Sequence, residues 1–296
     1  MKTIIPSETP LALLHQYLLG AVGPRPVALA STIDEQGRPN LAPFSFFNVF
    51  SVNPPVAIFS PARRGRDNTT KHTYENVIQV KECVINIVNY DMVHQTSLSS
   101  TEYPEGVNEF VKSGLTPVAS IKVKPARVKE SHIQMECTVR EVISLGNNGG
   151  AGQLVVCEVV CMHIAEHVLD ADGRIAPEKM DQVARMGGHW YTRAKMGLFQ
   201  LPQPTTNIGI GIDMIPADIR NSEVLSGNNL GLLGSIESLP DETAVNEYKL
   251  TELADIFIEN EKDATLLQRI LHQHARKLLE QGKLIEAWQT LLAYNG

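Results

Sequence analysis

Across residues 25–167, apolar and polar positions alternate in short runs, the period of half-buried strands. "PVALAST" and "NLAPFSFF" flank the Gly-containing turn "IDEQGRP" and predict a hairpin. "LAPFSFFNVFS", "PPVAIFS" and "ECVINIVN" predict further strands. "IQMECTVREVISL" and "GQLVVCEVVCMHIAEHVL" predict a long pair joined by the tip "GNNGGAG". Helical spacing appears only in short pieces: near residues 11–18, in "TTKHTYENVIQ", in "DMVHQTSLSS" and within "YPEGVNEFVKSGLTP". Strands in hairpin order point to a closed antiparallel barrel, a mainly β fold with helices. The β-α-β alternation of a doubly wound sheet is missing, and no G-x-G-x-x-G follows a strand.

The pattern changes after Pro204. A Gly-, Pro- and Asn-rich stretch gives way to amphipathic helices. Leu267, Ile270, Leu271, His274 and Leu278 form one apolar stripe; Leu284, Trp288, Leu291 and Leu292 form another, with Gly282 as the turn between them. Residues 1–204 therefore read as the barrel domain and residues 205–296 as a mainly helical extension.

Composition narrows the classes of function. The 296 residues are 43% hydrophobic and 20% charged, ordinary for a globular protein, with a net charge of -7. A nucleic-acid footprint needs the opposite sign. No apolar run approaches the roughly 20 residues that span a bilayer. The opening "MKTIIPSETPLALLHQYLLG" is broken by Pro6, Glu8 and Pro10 and does not read as a signal peptide. Cys83, Cys137, Cys157 and Cys161 sit among apolar neighbours and read as buried reduced thiols, which suits a cytoplasmic protein. Cys157 and Cys161, four apart on a strand, would share one face.

One stretch stands out against the acidic total. "PARRGRDNTTKHTYENV" packs Arg63, Arg64, Arg66, Asn68, Thr69, Thr70 and Lys71 into one turn before a helix. A helix start offers unpaired N–H groups and a partial positive charge, so anions bind there. Asp67, Asn68 or Thr69 is the expected N-cap. Thr69 and Thr70 would add hydroxyls, with Thr73 reaching in from the first turn, Lys71 a point charge, and Arg63 and Arg64 planar donor forks. The plainer alternative is a capped surface helix with a solvated basic loop. The preceding "LAPFSFFNVFS" favours the anion site, because an aromatic wall beside it suits a flat heteroaromatic ligand with a phosphate tail. Phe44 and Phe46, by spacing, share a face and read as core.

Other constellations are weaker. No histidine pair has helical i, i+4 metal spacing with a supporting carboxylate, so no metal site is assigned. Asp91, His94 and Ser97 lack a nucleophile elbow and read as unrelated.

At these residues the chain resembles the flavin-reductase-like, FMN-binding split β-barrel family. The likeness runs in order through "PRPVALAST", "NLAPFSFFNVFSVNPPVAIFS", "TKHTYENVIQVKECVINIV", "GVNEFVKSGLTP", "ESHIQMECTV" and "ARMGGHWY", over about residues 22–204. It implies a homodimer of six-stranded antiparallel Greek-key barrels with FMN near the interface. It implies that Ser45, Phe46, Phe47 and Asn48 hold the isoalloxazine edge, and that Ser60 and the loop with Arg63 and Arg64 line the ribityl and phosphate side. Thr70, Lys71 and Thr73 would take the phosphate. The family's Lys-Asp-Thr appears here as Lys71-His72-Thr73, so His72 stands where an aspartate is usual. The stretch "RMGGHWY" would close the site, with Arg185, Gly187, His189 and Tyr191 near the nicotinamide or substrate and Arg185 counted among the cofactor-binding residues. The implied activity is NAD(P)H-dependent reduction of flavin. An FMN-holding electron carrier served by a protein partner, or a non-catalytic ligand-binding protein, are the alternatives. The resemblance assigns the helical extension no role.

Overall fold

A computed structural model describes residues 1–201 and 208–294. The expected boundary at Pro204 lies outside the described residues. The chain divides into two compact units, Met1–Phe199 and Gln200–Gly296.

The first unit is built on seven antiparallel strands: β1 (Ala28–Ile33), β2 (Pro39–Phe44), β3 (Phe47–Val52), β4 (Pro55–Phe59), β5 (Glu82–Ile87), β6 (Ile133–Ser144) and β7 (Gln153–Ile164). Their order is β2-β1-β5-β6-β7-β4-β3. Consecutive strands β2 and β3 thus lie at opposite edges of the sheet, yet only Ser45 and Phe46 join them. Two linking residues span at most about 11 Å, so the sheet must curl until its edges adjoin. Inward side chains agree: the Phe44 ring on edge strand β2 meets the Phe59 ring on β4 with centroids 5.3 Å apart.

Alternate residues of every strand face this interior, among them Ala28, Ala30, Ala57, Ile85, Met135 and Val155. Helix α2 (His72–Gln79) adds Val77 to the same core. The opposite face of β1 and β2 presents Leu29 and Leu41 to a second core, which Met92, Phe110 and Leu115 complete.

Three expectations fail here for physical reasons. "LAPFSFFNVFS" is two strands, because the chain breaks at Ser45–Phe46 to cross between edges; the sheet therefore has seven strands where six were implied. Phe44 is core, but Phe46, in the break, is 44% exposed. Cys157 and Cys161 lie on opposite faces, because a β-bulge between Val159 and Cys161 inserts one residue and shifts the phase. Cys83, Cys137 and Cys157 are fully buried, whereas Cys161 is partly exposed.

The Gln200–Gly296 unit is helical. Ala264–Glu280 and Leu284–Leu292 form the predicted hairpin. They pack Leu278, Leu279, Trp288 and Leu291 with Ile219 and Leu233, and Trp288 Nε1 donates to the Leu233 carbonyl at 3.0 Å. No helix among the described residues is long and apolar enough to cross a membrane.

Candidate functional site

The basic turn leaves β4 and enters α2. It is folded by its own side chains. Arg63 Nε donates to Asn68 Oδ1 at 2.8 Å and its Nη2 to the Asn68 carbonyl at 2.6 Å. Asn68 adopts a left-handed φ of 60°, which its short amide side chain tolerates. Arg64 Nη1 donates to Thr69 Oγ1 at 3.0 Å and to the Thr70 carbonyl, and its Nε to Glu102 Oε1 at 3.1 Å. Arg66 pairs with Asp67 at 3.1 Å and Glu102 at 2.7 Å. The expected N-cap is corrected: Asp67 accepts from the Thr69 N–H and hydroxyl inside the turn, and the helix starts later, with Lys71 at the cap position and no side-chain cap.

Lys71 differs from the arginines. Among the described residues its Nζ has no hydrogen bond or ion pair; it lies 5.9 Å from the centre of the Phe44 ring. Burial, with help from the Arg64 charge and against the opposing Glu102 carboxylate, pushes its pKa below the ordinary lysine value. Lys71, Arg64, His72 and Thr73 line a hollow of about 50 Å³ with Asn40 and the 99–103 loop. By the same measure a water needs about 10–15 Å³, so the space suits a small polyatomic group and not a whole ring system. His72 and Thr73, the first residues of the uncapped helix α2, are among its lining.

The other expected residues fall as follows. Thr70 spends its hydroxyl on Glu75 at 2.5 Å. Thr73 is buried and its Oγ1 accepts from Asn40 Nδ2 at 2.9 Å. Ser60 is buried, and its Oγ accepts the Gln153 N–H at 3.0 Å. Its N–H donates to the Phe46 carbonyl at 2.9 Å, which ties the Ser45–Asn48 break to the start of the basic loop. Phe47 is half-buried against the barrel core and Asn48 is exposed.

Arg185, His189 and Tyr191 sit elsewhere in this unit, on the hairpin Val183–Gly187 and Trp190–Arg193. That hairpin extends the short strand Arg25–Pro26 and touches helix α1 (Leu11–Ala21) through Gly187 and Gly20. Arg185 donates to the Gly188 carbonyl at 2.9 Å and stacks its guanidinium 5.0 Å from the Tyr191 ring centre. His189 is exposed in the turn. No hydrogen bond among the described residues links this hairpin to the basic turn.

Sequence spacing missed Asn40, Glu102 and Glu109. Glu109 lines the same hollow, accepts the Leu41 N–H at 3.1 Å, and is raised in pKa by burial. No local motif marks them, since each reaches the site from a distant segment.

A family model described as "Flavin reductase like domain" matches residues 21–179. The chain belongs to this family. Its fold is the split β-barrel, and the membership supports flavin as a ligand and a flavin-related oxidoreductase role. It is 36% identical to an uncharacterized protein of Aquifex aeolicus, over 63% of this chain and 93% of that one. The structure of nitrilotriacetate monooxygenase component B from Bacillus cereus aligns with a TM-score of 0.64 at 32% identity, covering 68% of this chain and 98% of that one. A Shewanella frigidimarina protein described as a flavin reductase with a split barrel domain aligns with a TM-score of 0.58 at 27% identity, covering 67% and 95%.

Proposed function

We propose that this protein is an FMN-binding oxidoreductase that takes reducing equivalents from NAD(P)H. The observation that carries the reading is Lys71: a half-buried ammonium that, among the described residues, has no hydrogen bond or contact ion pair, beside a helix start and a phosphate-sized hollow. A cation left unpaired in a partly dry site is costly unless an anion completes it. The residues present fit a phosphate tail. Thr73 and the first N–H groups of α2 supply further donors, and the guanidinium of Arg64 holds the turn so that Lys71 faces the hollow.

Bound FMN would supply the redox chemistry, accepting hydride from a reduced nicotinamide at flavin N5. The chain's own part is positioning. Backbone N–H groups at Ser45–Asn48, beside the exposed Phe46 ring, would be the donors for a ring edge, where charge builds on reduction. Arg185, His189 and Tyr191, on a separate hairpin, are the substrate-side residues in this reading. No acid–base dyad is required of them.

The assembly is part of the proposal. Edge strand β3 exposes Val49 at 56%, Phe50 at 66% and Val52 at 86%. An uncovered apolar edge suits a second copy of this chain, and a protein electron acceptor accords with the likeness to a monooxygenase component.

The test is an absorbance spectrum of the purified protein, before and after NADH or NADPH without oxygen. Flavin bands that bleach are the expected result. Bands that persist with both nicotinamides would leave a flavin carrier fed by a protein. Absence of bands after soaking in FMN would overturn the reading.

A further inference from the structure

We propose that Glu136, Cys161 and His163 form a binding site for a borderline-soft divalent cation, Zn²⁺ or a metal like it, on the outside of the barrel. The site is independent of the flavin reading. Its three residues come from the adjacent strands β6 and β7, where Cys161 pairs with Glu136 and His163 with Gln134. The β-bulge between Val159 and Cys161 creates the arrangement. Without the inserted residue, Cys161 would point inward with Cys157. With it, Cys161 and His163 turn outward onto the face that carries Glu136.

The donor geometry suits a metal better than a relay. Glu136 Oε1 lies 2.7 Å from His163 Nε2, and Cys161 Sγ lies 3.5 Å from the same nitrogen. All three donor atoms fall within 4.8 Å of one another. In a Cys–His–carboxylate relay the thiol and the carboxylate use opposite ring nitrogens. Here both crowd one nitrogen, which carries at most one proton and cannot serve both. A cation at the shared point satisfies all three. In a tetrahedral zinc site, bonds of about 2.0 Å to nitrogen and 2.3 Å to sulfur hold those atoms about 3.5 Å apart, the separation observed. The oxygen–nitrogen edge, at 2.7 Å, needs to open by about 0.6 Å.

The surroundings hold the carboxylate in place. Glu136 is fully buried and accepts the backbone N–H groups of Ile121 at 2.9 Å, Lys122 at 2.5 Å and Val123 at 3.2 Å. Such outer contacts orient a ligand without occupying all its lone pairs. Arg127 approaches to 3.9 Å, but its guanidinium is engaged by Gln134 Oε1 at 2.9 Å and the Ala119 carbonyl. Cys161 and His163 are partly exposed, so a cation has a way in and water can take the fourth position. One sulfur and one imidazole nitrogen select against Mg²⁺ and Ca²⁺, which prefer all-oxygen shells.

The test is titration of the full chain with Co²⁺, followed at wavelengths beyond flavin absorption, and with Zn²⁺ by calorimetry. We expect one equivalent of Co²⁺ with the strong visible bands of a tetrahedral site, displaced by Zn²⁺. Cys161→Ser and His163→Ala, each checked for native circular dichroism, should weaken binding at least tenfold. His15→Ala, at an exposed histidine far along the chain, should leave it unchanged. Lack of saturable binding, or equal binding by the folded Cys161→Ser and His163→Ala variants, overturns the proposal.

Discussion

The turn at residues 63–71 and the hairpin at residues 183–193 both concentrate positive charge, and they use it differently. In the hairpin each cation has a protein partner: Arg193 is paired with Asp181 at 2.8 and 2.5 Å, and Arg185 with the Gly188 carbonyl and Tyr191. In the turn the three arginines are likewise engaged, but Lys71 is left over. A count of basic residues therefore misleads. In the proposed reading, anion binding rests on the one basic group of the turn that no protein acceptor engages among the described residues, and the arginines mainly hold it in position.

The largest effect is expected from Lys71→Ala. Loss of this ammonium should weaken FMN binding more than tenfold, at least about 1.4 kcal/mol, with riboflavin binding little changed. Equal FMN affinity in the variant and the parent would remove the phosphate assignment. Next in size is Arg64→Ala. It deletes bonds to Thr69, the Thr70 carbonyl and Glu102, worth about 1–2 kcal/mol together after solvation. FMN affinity should fall roughly threefold to tenfold with a lower Tm. Arg64→Lys should rescue it poorly, because an ammonium lacks the planar fork.

A smaller effect is expected from pH. Burial holds Lys71 below its ordinary pKa in the free protein. A neighbouring phosphate favours the ammonium, so the complex binds that proton more tightly than the free protein does. Affinity for FMN is then full at pH values below the lowered pKa and declines as pH rises through it. Riboflavin has no phosphate and Lys71→Ala no ammonium; neither combination should show that decline. Titrations of FMN and riboflavin side by side across the alkaline range read the difference.

Much of the barrel was legible because strand periodicity is local. The pairs β1–β2 and β6–β7, helix α2 and the helical hairpin at residues 264–292 all follow from spacing and turn residues. What escaped was set by long-range geometry. The break at Ser45–Phe46 exists because the chain must pass between sheet edges, which no window of eleven residues reveals. The bulge at Val160 reversed the facing of Cys161 through pairing with a strand more than twenty residues away. The engagement of Arg64 and Arg66 by Glu102 was equally hidden, since the acid comes from another loop. Residue types marked the candidate anion turn; tertiary partners decided which of its cations is free.

The mildest expected change concerns the hairpin. Arg185 already has acceptors within its own turn, and it is not among the residues that line the hollow beside Lys71. Arg185→Ala should therefore leave the Kd for FMN within about twofold, since changes at residues with no shared partners are nearly independent. If the hairpin serves the nicotinamide, the same variant should raise KM for NAD(P)H while kcat changes less, the mark of binding lost equally in ground and transition states. Steady-state rates at fixed FMN separate the two constants. A large loss of FMN affinity in this variant would mean that the hairpin and the basic turn act on one ligand group, and that Arg185 is not spent on its own turn.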